Sequence, residues 1–395
     1  MKYALIIPDG AADVALDELD GRTPLEAAQI PHIDWIAANG RIGTVRNIPD
    51  EMPAGSDVAI LSVLGYDPRT YYTGRAPLEA AARGLRVRPD EWVLRCNFVT
   101  IIDGVMEDYS AGHISTEEAT ALIDELNRRI TAEEVRFYPG VSYRHLMTLR
   151  GDCDVLTTPP HDIIGQPVAS HLPKGSGSET LRALMERSEL LLADHEINAT
   201  RRELGENPAT RIWLWGEGKM PSLPSFADKY GLAGRAITAV DLVAGLAALI
   251  GWERVDVPGA TGFLDTDYAG KGAAAVKALD DCDLVCVHVE APDEAGHNAN
   301  AGGKVAALES IDRHIVAPVL QRLNAEGDDW RILVLPDHPT PCTLRTHTRG
   351  AVPFAVAGAR IKGVVQAPFT EAAAAESDLH IERGHEMMEY FLTVR

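Results

Sequence analysis

YALIIPDG, residues 3–10, is a continuous apolar run that ends in a turn carrying a carboxylate, Asp9. A run without polar alternation suits a strand buried on both faces, as in the middle of a parallel sheet. Two later stretches repeat the form. Residues 283–289 make a second apolar strand, and residues 331–335 make a third that leads directly into Pro336-Asp337-His338. Between these two, residues 303–323 carry Val305, Leu308, Ile311, Ile315 and Leu320 at helical spacing, and residues 23–39 carry Leu25, Ala28, Ile33 and Ile36 on one face. Strand, helix, strand is the order of an α/β layer fold. Ligands in such sheets gather beyond the carboxyl ends of the strands, where Asp9, Asp293 and Asp337 fall.

The middle of the chain has a different grain. Residues 95–101 and 141–149 read as strands. Residues 116–129 read as a helix, with Ser115 as its cap and Glu118 closing a capping box. Residues 151–178 are rich in Pro, Gly, Ser and His and read as a long functional loop, followed by a helix over 179–193. The apolar strand 211–215 marks the return to the α/β layers. The expected organisation is a discontinuous catalytic domain, 1–88 with 209–395, and an inserted α+β cap over 89–208, hinged near 88–92 and 206–210. No internal repeat interrupts this plan.

Bulk properties narrow the function. The 395 residues are 46% hydrophobic and 24% charged, with 37 basic against 58 acidic side chains and a formal net charge of −21. That balance argues against nucleic acid or an anionic membrane as partner, since both reward clustered cations. It leaves room for a small anionic substrate in a local basic pocket. No apolar stretch reaches the length of a membrane span, and the first residues lack the apolar core of a signal peptide. Five scattered cysteines (Cys96, Cys153, Cys282, Cys286 and Cys342) give neither a disulfide framework nor a zinc knuckle, so cytosol is the expected compartment.

Chemistry concentrates at the strand ends. Asp293 and His297 are four apart and can meet on one helical face, and both are ligands for a divalent ion. Asp337 and His338 follow a strand directly, with His347 nine residues on, and burying such a pair without an ion partner is costly. Ser56, in PAGSDVA at 53–59, precedes a helical pattern, where a helix N-terminus would face a phosphate. Taken together, Asp9, Ser56, Asp293, His297, Asp337, His338 and His347 supply ligands for two ions with a serine between them. A serine so placed is a usable nucleophile for in-line phosphoryl transfer.

These stretches, with GRTPLEAA (21–28), PAGSDVAILSVLGYDP (53–68), GRAPLEAAARG (74–84), RCNFVT (95–100), WLWGEG (213–218), HVEAPDEAGH (288–297), LPDHPTP (335–341) and THT (346–348), resemble the archaeal-type cofactor-independent phosphoglycerate mutases of the alkaline phosphatase superfamily. The resemblance runs through nearly the whole chain. It implies an alkaline-phosphatase-like three-layer core with a largely parallel sheet and an inserted cap that closes over substrate. It implies one divalent ion on Asp9, Ser56, Asp337 and His338, a second on Asp293, His297 and His347, and a phosphoserine at Ser56. Mn²⁺, Mg²⁺, Zn²⁺ or Co²⁺ would serve, and 2,3-bisphosphoglycerate would not be needed. The expected reaction is interconversion of 3-phosphoglycerate and 2-phosphoglycerate.

One segment departs from the family. Where many of these mutases carry an arginine-rich Asp-Arg-Arg-Ala-Gly-Arg, this chain has Asp108-Tyr109-Ser110-Ala111-Gly112-His113. The departure resembles a bacterial branch proposed to be a homoserine kinase, which is the alternative reading. The groups left in the cap to hold substrate are Arg95, Asn97, His113, Arg144, His145, His161, Asp162 and Lys174, with Lys219 beyond them. His288 and Glu290 read as structural or as supports behind the ligands, and His32, His171, His195, His314, His380 and His385 join no constellation. The partner expected is a small phosphorylated substrate, with homo-oligomerisation left open.

Overall fold

The structure is a computed structural model that describes residues 1–393. The chain divides into two compact units, Met1–Tyr72 together with the chain from Ser222 onward, and Thr73–Pro221.

The first unit is built on an eight-stranded sheet in the order Glu253–Arg254, Gly234–Ile237, Leu284–Val289, Lys2–Pro8, Trp330–Val334, Val352–Gly358, Arg41–Val45 and His380–Ile381. Seven strands run one way, and Val352–Gly358 alone runs against them. The three stretches read as central strands are neighbours: Lys2–Pro8 lies between the other two, with Leu5 opposite Cys286 on one side and Leu333 on the other. Leu5, Ile6 and Ile7 have no exposed surface, as continuous apolar runs in a doubly covered sheet require.

Helices cover this sheet, and two of them depart from their sequence reading. The stretch 23–39 is not one helix but two, Pro24–Ala27 and Pro31–Asn39. Pro31 forbids helical geometry at the residue before it, and Ile30 sits at φ −122°, ψ 58°. The stretch 303–323 runs as Ala301–Ile311, a π-turn at Asp312–Val316, and Ala317–Asn324. Pro318 has no N–H to continue the α-ladder, and the wider turn absorbs the missing bond.

The second unit is an antiparallel sheet carrying helices. Strand Glu91–Ile102 lies between Arg144–Arg150 and Arg211–Lys219, Val135–Val141 pairs with Arg144–Arg150, and Val105–Asp108 pairs with the end of Glu91–Ile102. The helix Thr116–Arg129 starts with the expected capping box of Ser115 and Glu118. The unit is wider than the span 89–208, and its chain crossings fall at 72–73 and 221–222 rather than near 90 and 208. Two packing facts account for this. Helix Arg75–Ala82 buries Ala76 and Ala80 against Val93 and Leu146. Strand Arg211–Lys219 does not rejoin the large sheet, because Leu214 and Ile212 pair with Cys96 and Phe98. The stretch 151–178 contains a small ladder, Val155–Leu156 with Lys174–Gly175, and two 3₁₀ turns.

Candidate active site

Three strand ends and one helix start bring the polar residues of the first unit together. Asp9 follows Lys2–Pro8, Asp337 and His338 follow Trp330–Val334, and Asp293 with His297 sits on helix Ala291–His297 after Leu284–Val289. Ser56 opens helix Ser56–Val63. Asp9, Asp293, Asp337 and His338 are all buried.

The geometry centres on His338. Its Nε2 lies 3.0 Å from Ser56 Oγ, 3.3 Å from Asp337 Oδ2 and 3.7 Å from Asp9 Oδ1. Each of the two carboxylates is anchored through its other oxygen. Asp337 Oδ1 accepts the backbone N–H groups of Gly10 (3.1 Å) and His338 (2.8 Å), and Asp9 Oδ2 lies 2.8 Å from His288 Nε2. The oxygens facing His338, Asp9 Oδ1 and Asp337 Oδ2, are buried with no hydrogen-bond donor. Buried bare carboxylate oxygens are costly unless a cation completes them. Two carboxylates, an imidazole and a hydroxyl are a donor set that fits a divalent ion.

A second group adjoins the first. His297 Nε2 is 3.2 Å from Asp293 Oδ2, His347 Nε2 is 3.4 Å from Asp293 Oδ1, and the two imidazole nitrogens stand 2.9 Å apart. His297 Nδ1 is held by the Arg345 carbonyl at 3.0 Å. Donors converging this closely from three side chains again fit a cation.

Electrostatics distinguish the two groups. Burial, with the charges of Asp337 and Glu290 beside it, raises the Asp9 carboxyl well above its usual range. Burial also lowers His338, against the pull of Asp337. Asp293 behaves oppositely: burial raises it, but hydrogen bonds from His297 and His347 outweigh that and carry it below the carboxylate range. His297 is correspondingly raised to about 9 by Asp293. His347 is raised too, since Asp293 outweighs its burial.

In the second unit some of the expected substrate residues gather on one face of the sheet. Arg95 stacks on Trp215 at 4.1 Å and pairs with Glu79 at 3.1 Å. Trp215 Nε1 donates to Asn97 Oδ1, and the His161 ring stands edge-on to Trp215 at 5.3 Å. Arg144 lies opposite Asn97 across the ladder and 5.8 Å from the Tyr143 ring, which also meets Tyr109 and His113. Burial lowers the Arg95 guanidinium, Glu79 supports it, and the charges of Arg75 and Arg144 add to the lowering, which marks three arginines as neighbours.

Other expected residues lie elsewhere. His145 alternates to the opposite face, where it packs edge-on to Phe98 and its Nδ1 accepts the Gly140 N–H. Burial lowers its pKa to about 3, and it belongs to the core. Strand alternation, which separates Arg144 from His145, is the signal that was available for this. Lys219 rests over the Trp92 ring at 4.9 Å, Lys174 is exposed on its two-residue strand, and Asp162 stands 3.8 Å from His161 in an exposed turn. Asp108 closes the segment that lacks arginines, accepting from Ser110, Gly112 and Asn207. Sequence reasoning passed over Arg75, Glu79, Trp215 and Tyr143. His288, read as structural or as a support behind the ligands, stands with its Nε2 2.8 Å from Asp9 Oδ2.

The 2,3-bisphosphoglycerate-independent phosphoglycerate mutase model matches residues 37–198. A protein of that description from Methanothrix thermoacetophila is 48% identical over 388 residues, covering 98% of each chain. Among solved structures, a Pyrococcus horikoshii protein superposes with a TM-score of 0.83 at 29% identity, covering 99% of this chain and 96% of that one. The cofactor-independent phosphoglycerate mutase from Thermoplasma acidophilum superposes with a TM-score of 0.70 at 28% identity, covering 99% of each. With near-complete coverage at this identity, the chain belongs to the 2,3-bisphosphoglycerate-independent phosphoglycerate mutase family.

Proposed function

We propose that this protein interconverts 3-phosphoglycerate and 2-phosphoglycerate by passing the phosphoryl group through Ser56, without a bisphosphoglycerate cofactor. The observation that carries the reading is the approach of Ser56 Oγ to His338 Nε2, 3.0 Å, beside two buried carboxylate oxygens that lack donors. Family membership supplies the substrate class.

Asp9, Asp337, His338 and Ser56 would hold one divalent ion, and Asp293, His297 and His347 another. When bound, such ions supply positive charge that favours the ionised serine and the phosphoryl oxygens in the transition state. The protein's own contribution is placement. Gly10 and His338 backbone N–H groups and His288 fix the two carboxylates, and Ser56 is held at the first turn of its helix. Ser56 Oγ bonds to phosphorus as the substrate's oxygen–phosphorus bond breaks, and the serine proton ends on the departing glycerate oxygen. Return of the group to the other hydroxyl reverses these steps. The second unit would act as the cap, with Arg75, Arg95, Arg144 and His161 holding carboxylate and phosphate charge. Five free, buried cysteines support a reducing, cytosolic setting, and no helix among the described residues is long and apolar enough to cross a membrane.

The test is to incubate Mn²⁺-loaded protein with 3-phosphoglycerate, and separately with homoserine and ATP, and to identify products by phosphorus NMR. Appearance of the 2-phosphoglycerate resonance to a constant ratio is the expected result. Phosphohomoserine with no 2-phosphoglycerate would overturn the reading in favour of the kinase.

A further inference from the structure

The two ligand groups share a residue to which the proposed chemistry gives no role. Thr340 is fully buried. Its Oγ1 lies 2.5 Å from Asp293 Oδ1, in the second group, and 3.2 Å from His338 Nδ1, in the first.

We propose that Thr340 is a positioning residue that links the two ligand groups and fixes His338 as its Nδ1–H tautomer. A hydroxyl has one proton to give and lone pairs to receive. Both oxygens of Asp293 face donors, with His297 Nε2 at 3.2 Å and His347 Nε2 at 3.4 Å, so the carboxylate is the acceptor of its contacts and the Thr340 proton points to it. The hydroxyl then has only acceptor capacity left for His338, and His338 must donate from Nδ1. That leaves the lone pair of His338 on Nε2, the nitrogen that faces Ser56 Oγ and the bare oxygens of Asp9 and Asp337. The partner on one imidazole nitrogen decides what the other can ligate.

Thr340 is itself clamped. Its carbonyl accepts Lys304 Nζ at 2.8 Å, and the same ammonium pairs with Asp13 at 2.8 Å, both ends buried. Its N–H donates to the Ala12 carbonyl at 3.2 Å. Two glycines keep the room it needs. A Cβ at Gly10 would stand 2.5 Å from Asp293 Oδ1 and 2.7 Å from Thr340 Oγ1, and one at Gly296 would run into the Thr340 carbonyl. Gly10 also has φ +62°, which strains any other residue.

This inference rests on the metal-holding role proposed above, and the experiment separates the two. Full-length wild type, Thr340→Val and Thr340→Ser are prepared metal-free and ¹⁵N-histidine-labelled, with His338→Gln to assign the resonance. Wild type and Thr340→Ser should show His338 protonated at Nδ1, whereas Thr340→Val should show a mixture of tautomers. Calorimetric titration with Mn²⁺ should then show both binding steps weakened at least about tenfold in Thr340→Val and restored to within about threefold in Thr340→Ser. An unchanged His338 tautomer in Thr340→Val, or weakening confined to one step, overturns the linking role. A wild type that takes up no Mn²⁺ overturns the metal-holding reading instead. Thr340→Ser, which keeps the hydroxyl in the same backbone, guards against misreading a folding defect.

Discussion

Ser56 Oγ and His338 Nε2 stand 3.0 Å apart although 282 residues separate them in the chain. One opens a helix and the other follows a central strand, so their meeting depends on the layered fold and on no local motif. This pair sets the first expectation. Ser56→Ala should abolish turnover, because the covalent route needs the hydroxyl. Stability should change by only about 1 kcal/mol, the scale of one hydrogen bond. Steady-state kinetics, thermal unfolding and trapping of labelled phosphate on the protein check this. Activity above a few per cent of wild type would remove Ser56 from its role.

His347 turns its Nε2 to Asp293 and His297, and meets the first group only through ring packing against His338 at 4.2 Å, so His347→Ala should cost one of two divalent ions and leave the other bound. Elemental analysis of protein equilibrated with excess Mn²⁺ and then desalted gives the count directly. Loss of both ions, or a single ion in the wild type, contradicts the two-group assignment.

Arg144 and His113 both contact the Tyr143 ring on the arginine-bearing face of the second unit. Replacing either by Ala should lower kcat/KM for 3-phosphoglycerate by at least about tenfold, equivalent to about 1.4 kcal/mol of transition-state binding. The melting temperature should hardly move, since both residues are exposed. Unchanged kinetics in both variants would show that this face does not bind substrate.

His145 gives a pH prediction independent of the metal ligands. Burial holds its folded pKa near 3, well below the ordinary value of 6.5. Below pH 6.5 the unfolded chain therefore binds a proton that the folded chain refuses, and stability is lost as pH falls from about 6.5 toward 3. His145→Gln can keep an acceptor for the Gly140 N–H while removing the titration. Its urea midpoint should fall less than that of wild type between pH 6.5 and 4.5, with KM unchanged. Parallel acid losses in the two proteins would contradict the assignment.

The catalytic unit was legible in the sequence because its signals are strong and local. An unbroken apolar run such as residues 3–7 has few alternatives to a buried parallel strand, and an acidic residue just after it falls where such sheets bind ligands. The second unit was harder. Residues 141–149 read as one strand, but Ser142 at φ 54° breaks the run, and the pairing with Val135–Val141 begins there. Strand Arg211–Lys219 belongs to the second sheet and not to the α/β layers its sequence suggests, because an apolar run does not encode its partner. Thr340 was invisible for another reason. A threonine between two prolines carries no charge or spacing signal, and only three-dimensional convergence reveals that its hydroxyl spans two ligand groups.

The register of the central strands has a consequence for biosynthesis. Lys2–Pro8 is made long before both of its neighbours, Leu284–Val289 and Trp330–Val334, which lie far downstream. At typical elongation speeds Leu5, Ile6 and Ile7 wait roughly 15–60 s before either partner strand exists. Over the same interval the whole of Thr73–Pro221 emerges with every strand of its own sheet. The inserted unit can therefore fold on the ribosome while the catalytic sheet still lacks its middle. Strand Lys2–Pro8, apolar from Tyr3 to Ile7, spends the interval without either of its partners. A nascent chain arrested just before Leu284 would carry a finished second unit and no catalytic centre at all.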